Sequence, residues 1–249
     1  SSILKREEPI VQELATEYLT EQGITILNNV TLESVSNDGD KPVITANNQN
    51  YTFDAVLYAT GRKANTANIG LEHTDIATNE RGAIVVNDTC ESSVPGVYAV
   101  GDVNGGPQFT YVSLDDFRIV FGTLTGNSQY TLKDRKNIPY TTFLTPPLSR
   151  VGLTEEDAIN QGYTVKTKEI LVATMPRAHV NDYLKGAFKI VVDANNDLIL
   201  GATLYSQGAE ELINLIKMAM DNNIPYTYFK NQIFTHPTMA ENLNDLCNF

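Results

Sequence analysis

The chain has 249 residues, of which 42% are hydrophobic, and it carries a formal net charge of −12. This length and composition suit a globular protein of one large domain or two modest ones. The acidic balance argues against a nucleic-acid partner, because phosphate binding needs clustered lysines and arginines, and no basic run exceeds two residues.

Further features of the composition bear on compartment and metal binding. No apolar stretch approaches the roughly 20 residues that span a bilayer, and no signal peptide opens the chain. Cys90 and Cys247 lie far apart, which favours a reducing cytoplasm over a disulfide framework. The histidines at 73, 179 and 236 have no partner at metal-ligand spacing, so we predict no metal site.

The first predicted element is a helix. Pro9 suits its first turn, apolar residues recur at helical spacing from Ile10 to Leu19, and Gly23 is placed to end it. Because the chain has no initiator Met and runs straight into this helix, we expect it to begin in the middle of a fold.

Apolar runs bounded by turn residues predict strands in the first half of the chain. Three short β segments are expected between Val30 and Phe53, separated by Asn- and Asp-rich turns. Four more runs are strand-like: 24–27, 55–59, 83–86 and 96–100. Buried strands that stop at a glycine, here Gly61 and Gly101, are typical of α/β folds, whose ligands gather at the carboxyl ends of strands. A helix is then expected from near Thr110 to Leu124.

The pattern changes after Pro139, where we place a domain boundary. Thr154 and Asp157 form a variant capping box that opens a short helix. Strands are expected at 140–144, 188–192 and 198–204, and a strongly amphipathic helix at 210–220. This order indicates an α+β domain, an antiparallel sheet with helices on one face, after partial α/β segments.

Three positions before this boundary suggest a nucleotide site. Asp102, just past a predicted strand, can accept hydrogen bonds from a sugar-like polyol. The helix that opens at Thr110 can stabilise an anion or a reduced ring with its free N–H groups. Gly61 would allow a ligand close to the backbone. Plain structural interpretations, an Asp-capped turn at Asp102 and strand-end packing at Gly61, stay open on these residues alone.

His236 and Glu241, in the run His-Pro-Thr-Met-Ala-Glu, are the most suggestive pair. A carboxylate bonded to an imidazole fixes the tautomer and raises the basicity of the other ring nitrogen. His236 is therefore a candidate general base near neutral pH. The alternative is an ordinary surface histidine near a chain terminus.

Four segments together resemble one family. They are YATGR (58–62), GVYAVGDV (96–103), TPPLSRVGLTEEDA (145–158) and HPTMAE (236–241). They occur in the order seen in the pyridine nucleotide–disulfide oxidoreductases, the flavoprotein family of glutathione reductase, dihydrolipoamide dehydrogenase and mercuric reductase. The resemblance implies that NAD(P)H reduces FAD, which reduces an active-site disulfide, whose thiols reduce a small oxidant or disulfide substrate.

The resemblance also implies roles for individual residues. Asp102, after Gly101, resembles the acid that binds the FAD ribitol, and Thr110 matches the position whose backbone faces the flavin ring. Gly61 resembles a residue on the nicotinamide nucleotide path, and Val30 resembles an adenine contact. His236 and Glu241 match the pair that acts on the thiols of the opposite subunit of a homodimer.

Two departures narrow the resemblance. The stretch QFTYVSLDDFRI (108–119) differs from the glutathione reductase and dihydrolipoamide dehydrogenase forms. It is most similar to a bacterial branch resembling the hypothiocyanous acid reductases, linked to defence against reactive chlorine species. Cys247 stands alone, unlike the paired C-terminal cysteines of mercuric reductase, so we expect no mercury-handling role and take it for an incidental tail residue.

No two glycines are spaced as G-x-G and no C-x-x-x-x-C pair exists, so we expect the dinucleotide fingerprints and redox cysteines upstream of Ser1. The predicted division is residues 1–64 as the end of the NAD(P)-binding domain, 65–137 as a returning segment of the FAD-binding domain, and 138–249 as the dimerisation domain.

By itself the chain is expected to be an inactive dimer, because one ribitol carboxylate should not replace the missing phosphate-binding loops. A glutathione reductase or dihydrolipoamide dehydrogenase type of enzyme is the other alternative.

Overall fold

A computed structural model describes residues 2–249. It contains seven α-helices within that range: α1 Pro9–Glu21, α2 Thr110–Leu124, α3 Glu155–Asn160, α4 Pro176–Val180, α5 Ala209–Asp221, α6 Tyr226–Asn231 and α7 Leu243–Leu246. Eight strands lie in the same range: β1 Leu32–Asp38, β2 Lys41–Ala46, β3 Gln49–Thr52, β4 Tyr140–Thr142, β5 Leu148–Gly152, β6 Val165–Leu171, β7 Ala187–Asp193 and β8 Ile199–Tyr205.

These elements divide into two compact units. The first joins Ser1–Thr52 to Asn137–Phe249, and the second is Phe53–Lys136. The division into domains at 64 and 137 that the sequence suggests stays a prediction, because compactness of this chain alone does not test it.

The centre of the first unit is a five-stranded sheet with the order β4-β5-β8-β7-β6. All of its pairs are antiparallel, which confirms the α+β arrangement expected after residue 138. All seven residues of β7 are buried, because this strand is flanked on both sides and covered on both faces. The amphipathic helix expected at 210–220 is α5, and its apolar stripe packs on the sheet through Leu212, Ile213 and Ile216.

The opposite face of this sheet is covered by α1. Residues paired across an antiparallel ladder share a face. Leu148 pairs with Tyr205, and both pack against Val11, Ala15 and Tyr18 of α1, forming a cluster separate from the core under α5. The N-terminal helix is therefore bound tightly to strands more than 120 residues later in the sequence.

A close backbone contact fixes the approach of α1 to the sheet. The Tyr18 hydroxyl accepts a hydrogen bond from Gly186 N at 2.9 Å, just before β7. Gly186 has φ +120, and a Cβ there would lie 1.8 Å from Tyr205 O. Only glycine fits this position, because both its conformation and its distance from β8 exclude a side chain.

The remaining strands of the first unit form a three-stranded antiparallel meander, β1-β2-β3. It confirms the three short β segments expected between residues 30 and 53, with turns at the two Asn- and Asp-rich clusters. The capping box is also confirmed: Thr154 Oγ1 accepts from Asp157 N at 3.1 Å, and Asp157 accepts from Thr154 N.

Four other predicted strands are wrong for this chain. Runs 24–27 and 55–59 form no ladder, and runs 83–86 and 96–100 form only isolated bridges, Thr78–Ile84, Val86–Ser92 and Glu91–Tyr98. A strand needs a hydrogen-bonded neighbour, and no strand among residues 2–249 lies beside these runs. Leu57 and Tyr58 are consequently 90% and 76% exposed, although their sequence is that of a buried strand.

Candidate functional site

His236 and Glu241 meet as the sequence predicts. His236 Nδ1 lies 2.8 Å from Glu241 Oε2, with the imidazole 69% exposed and the carboxylate 17% exposed. A carboxylate oxygen can only accept, so the hydrogen lies on Nδ1, and in the neutral ring Nε2 is left as an acceptor. Nε2 makes no hydrogen bond to any residue that the structure describes. The ring is therefore oriented by one nitrogen and open to an external partner at the other.

The chain between the two residues holds the carboxylate in place. Thr238 N donates to Glu241 Oε1 at 3.3 Å, and Glu241 N donates to Thr238 Oγ1 at 3.2 Å. These reciprocal bonds are those of a capping box, for which Thr-x-x-Glu is the sequence signal. Each oxygen of Glu241 thus has its own donor. The sequence analysis missed Thr238, although this spacing would have identified it.

A second residue that sequence reasoning missed supports the same turn from below. Asn242 is 2% exposed, and its Nδ2 donates to Thr238 O at 3.2 Å and Met239 O at 3.1 Å. Directly after it, α7 buries Leu243 and Leu246 in the core under α5. The turn that carries His236 and Glu241 is therefore anchored to a base formed by Asn242 and the buried side of α7.

Cys247 belongs to that base, and the expectation of an incidental tail residue is wrong. Its side chain is fully buried in the same core, and burial raises the pKa of its thiol to about 12, partly offset by the Lys168 charge. Buried apolar neighbours were not visible in the sequence because the tail is too short to show periodicity. A neutral, enclosed thiol of this kind is unreactive.

The second unit contains Gly101 and Asp102 in a short 3-10 turn. Gly101 has φ +74, and a Cβ there would lie 2.7 Å from Ser113 Oγ of α2. The Asp102 side chain is 47% exposed and lies 3.3 Å from Arg62 Nη1. Arg62 also donates to Gln108 O at 3.3 Å. Arg62 was not predicted as a partner of Asp102, because the two are 40 residues apart in the sequence.

Helix α2 begins at Thr110, as predicted. Phe109 occupies the N-cap position and supplies no side-chain hydrogen bond, and no acidic residue lies in the first turn. The positive end of the helix dipole is therefore not neutralised by the chain's own side chains there. The rings of Phe109 and Tyr111 stack at 5.1 Å on either side of Thr110.

The two remaining predicted ligand contacts are Gly61 and Val30. Gly61, in the second unit, has φ +118, and a Cβ there would meet nothing within 4 Å. Val30, in the first unit, precedes β1 and is 40% exposed. A ligand could approach either residue. Neither residue offers a polar side chain that would fix the position of a ligand.

Among residues 2–249, no three His, Cys, Asp or Glu side chains are grouped so that they could hold a metal ion. The helices in the same range are all too short or too polar to span a bilayer.

Two family models together match most of the chain. Residues 1–116 match the family model "Pyridine nucleotide-disulphide oxidoreductase", and residues 138–247 match "Pyridine nucleotide-disulphide oxidoreductase, dimerisation domain". The chain belongs to the pyridine nucleotide-disulfide oxidoreductase family. The family resemblance deduced from the four sequence segments is thereby confirmed.

Individual relatives agree with this assignment. The probable pyridine nucleotide-disulfide oxidoreductase RclA of Escherichia coli (strain K12) is 42% identical over 99% of this chain and 56% of its own length. A mercuric reductase of Staphylococcus aureus is 34% identical over 97% of this chain and 45% of its own length. The solved structure of HOCl-induced flavoprotein disulfide reductase RclA from Escherichia coli superposes with a TM-score of 0.95, covering 99% of this chain and 57% of that one. The chain thus spans about half the length of the relatives it matches.

The family uses FAD and NAD(P)H, and the residues present fit the flavin. The exposed carboxylate of Asp102 could accept hydrogen bonds from a polyol, and the uncapped helix start at Thr110 could stabilise negative charge on a ring. Gly101 places the backbone of the turn directly against α2, so the two groups are held within one compact unit.

Proposed function

We propose that this chain is the C-terminal part of a homodimeric, FAD-dependent NAD(P)H oxidoreductase that reduces a small oxidant or disulfide through an active-site dithiol. The observation that carries the proposal is the His236–Glu241 pair, with Nδ1 bonded at 2.8 Å and the ring 69% exposed. FAD, when bound, would pass electrons from NAD(P)H to the disulfide, which we place upstream of Ser1 together with both dinucleotide fingerprints.

His236 would act as the acid–base group. Its Nε2 takes a proton from a thiol and returns it to a departing thiolate. Glu241 holds the hydrogen on Nδ1 and stabilises the imidazolium that forms in between. Its second oxygen is held by Thr238 N, so the carboxylate does not need to reorient during turnover.

The remaining sites would hold the cofactors. Asp102 would bind the FAD ribitol, with Gly101 allowing the turn, and the backbone at Thr110 would face the flavin. Gly61 would line the nicotinamide nucleotide path, and Val30 would contact adenine. The exposure of Asp102 and the free space around Gly61 support these roles.

We also propose that residues 138–249 form the homodimer and bring His236 to the dithiol of the partner subunit. The exposed imidazole supports this arrangement, because neither cysteine of residues 2–249 offers it an accessible thiol: Cys90 and Cys247 are both buried. That both cysteines are free and buried also supports a location in the reducing cytoplasm.

The test is His236→Ala in the full-length enzyme. We expect dithiol-dependent turnover to fall roughly 10²–10⁴-fold, with the FAD content of the purified protein unchanged. His73→Ala is a matched control, since His73 is also exposed and lies 3.6 Å from a carboxylate, that of Glu72. Wild-type turnover of the His236 variant would remove its role.

The substrate we favour is a reactive chlorine-type oxidant rather than mercury. The similarity to RclA, described as HOCl-induced in Escherichia coli, supports the first choice, and the single, buried Cys247 argues against the second. Steady-state turnover with hypothiocyanite, glutathione disulfide, lipoamide and mercuric ion would separate the candidates. Preference for lipoamide or glutathione disulfide would support the alternative enzyme types.

A further inference from the structure

Asp116 is the most completely buried carboxylate of the second unit, and the proposed chemistry does not use it. It lies in the second turn of α2 and is 1% exposed. Its Oδ2 accepts from Gly101 N at 2.7 Å and from Asn104 Nδ2 at 2.9 Å. Its Oδ1 accepts from Arg135 Nη2 at 2.5 Å. Both carboxylate oxygens are therefore engaged by charged or polar donors inside the protein.

The bonds at Oδ2 are directed to one short segment. Gly101 and Asn104 are the first and last residues of the 3-10 turn that contains Asp102. The turn is thus held at both ends by a single carboxylate of α2. Asp102 lies between the two anchors, with its own side chain 47% exposed. Asp116 therefore fixes the backbone from which the Asp102 carboxylate projects.

Arg135 explains how this charge can be buried. Its side chain is 11% exposed, and its Nε donates to Asp115 Oδ2 at 2.7 Å while Nη2 binds Asp116. A buried carboxylate without a cation would be strongly unfavourable. Replacement of the whole pair by apolar side chains would leave Gly101 N without its acceptor, so the ion pair allows a buried carboxylate to hold the turn against α2.

The same helix carries both flavin-directed features. The uncapped start of α2 at Thr110 lies six residues before Asp116, less than two turns away. Gly101 packs so closely on Ser113 that a Cβ would come within 2.7 Å of its hydroxyl. A shift of the turn relative to α2 would therefore change the spacing between the Asp102 carboxylate and the helix N-terminus.

We infer that Asp116, neutralised by Arg135, is a positioning residue that sets the Asp102 turn relative to the start of α2 for FAD binding. This inference rests on the proposed function. If Asp116 had a purely structural role, its replacement would lower the stability of the protein without acting through Asp102. A positioning role and a structural role are distinguished by whether the effects of Asp116 and Asp102 on FAD affinity are coupled.

The experiment is a double-mutant cycle on the full-length enzyme with Asp102→Asn and Asp116→Asn, in which the FAD dissociation constant of the apoprotein is measured by flavin fluorescence. Loss of a charged hydrogen-bond acceptor should raise this constant about tenfold or more in Asp116→Asn. Because Asp116 acts through Asp102, the double variant should lie within about twofold of Asp102→Asn alone. We expect the visible spectrum of bound flavin to shift in the same direction in Asp116→Asn and in Asp102→Asn.

Asp115→Asn is the matched control, because Asp115 also binds Arg135 but, within residues 2–249, makes no hydrogen bond to the turn. It should leave FAD affinity near the wild-type value. Should Asp116→Asn fail to fold, Asn104→Ala removes one anchor of the turn with less disturbance, and the same coupling is expected.

An unchanged FAD constant in the folded variant, or effects of Asp102 and Asp116 that simply add, would overturn the positioning role. Failure of the proposed function is distinguishable from this: the wild-type apoprotein would then not bind FAD at all.

Discussion

The ammonium of Lys189 lies 3.0 Å from Glu8 Oε2, and the two side chains are 6% and 3% exposed. Lys189 projects from the middle of β7 on the face covered by α1, and Glu8 precedes the first residue of α1. Glu155 and Glu169 complete the shell around the ammonium at 2.7 and 2.9 Å. Burial alone lowers the pKa of Lys189, but hydrogen bonds to these three carboxylates outweigh it and raise the pKa well above its usual range.

Replacement of Lys189 by Met should therefore be strongly destabilising. It leaves Glu8 buried without its cation, which costs about 3–5 kcal/mol of unfolding free energy. Lys166→Met is the control, since that lysine is 35% exposed and pairs with the exposed Asp197, so the change should stay within about 1 kcal/mol. Urea unfolding measures both, and equal losses would contradict the burial argument.

Glu241→Gln should separate orientation of the imidazole from its presence. The amide nitrogen can face Nδ1 and favour the wrong tautomer, so dithiol-dependent turnover of the full-length enzyme should fall by at least about tenfold. The fall should be smaller than that of His236→Ala, because the ring remains. Glu211→Gln, an exposed position in the first turn of α5, provides the control. Turnover equal to wild type would mean that the carboxylate does not orient the ring.

Gly186→Ala tests the close approach of β8 to the residue before β7. The new Cβ would lie 1.8 Å from Tyr205 O and hold an unfavourable positive φ, so we expect a loss of about 3 kcal/mol or more. Gly162→Ala has a positive φ of +87 but nothing within 4 Å, so only about 1 kcal/mol should be lost. Thermal unfolding of the two variants gives the comparison. Similar midpoints would show that the strand shifts to accommodate the methyl group.

The buried thiol of Cys247 should make the unfolding free energy of the protein depend on pH in the alkaline range. Burial holds the pKa of its thiol at about 12, whereas an unfolded cysteine ionises near pH 8.5. Above that value the unfolded state loses a proton that the folded state keeps, so the unfolding free energy falls as pH rises towards 12. Cys90, with a pKa of about 11 through burial, acts in the same direction.

The measurement is the urea midpoint of wild type and Cys247→Ala at about pH 8 and about pH 10. The variant should be less stable at both values because it loses core packing. The decrease in urea midpoint between the two pH values should be smaller for Cys247→Ala than for wild type. An identical decrease would mean that the thiol is solvated in the folded protein.

By itself, the 249-residue chain should elute as a dimer and retain little FAD. Asp102 and the start of α2 supply one carboxylate and one helix terminus, and the phosphate-binding loops that dominate pyrophosphate affinity are not in this sequence. Gel filtration and visible flavin absorbance of the purified chain test both statements. Elution at the monomer size would argue against dimerisation through 138–249, and a stoichiometric flavin spectrum would show that the turn and helix suffice.

Sequence reasoning succeeded where local patterns determine structure. Helical spacing located α1, α2 and α5, the Thr154–Asp157 box located the start of α3, and the five-residue spacing of His236 and Glu241 anticipated their 2.8 Å contact. It failed where structure depends on a neighbour distant in sequence. The run 55–59 has the composition of a buried strand, but composition does not reveal whether a pairing strand is present.

The buried charges were missed for the same reason. Asp116 and Arg135 are separated by 19 residues, and Glu8 and Lys189 by far more, so neither pairing leaves a periodic signal. Each was hidden among exposed charges of the same type. Thr238 is different, because its Thr-x-x-Glu spacing to Glu241 is a local signal that can be read from the sequence.

The packing of α1 on β5 and β8 has a consequence for how this protein is made. Glu7 bonds to Tyr140, 133 residues further along, and Tyr18 bonds to Gly186, 168 residues further along. During synthesis α1 emerges from the ribosome long before the strands that it covers in this structure, and the whole 53–136 unit is translated in the interval. The apolar face of this helix therefore stays exposed to solvent, or bound to a chaperone, until β5 and β8 have been synthesised.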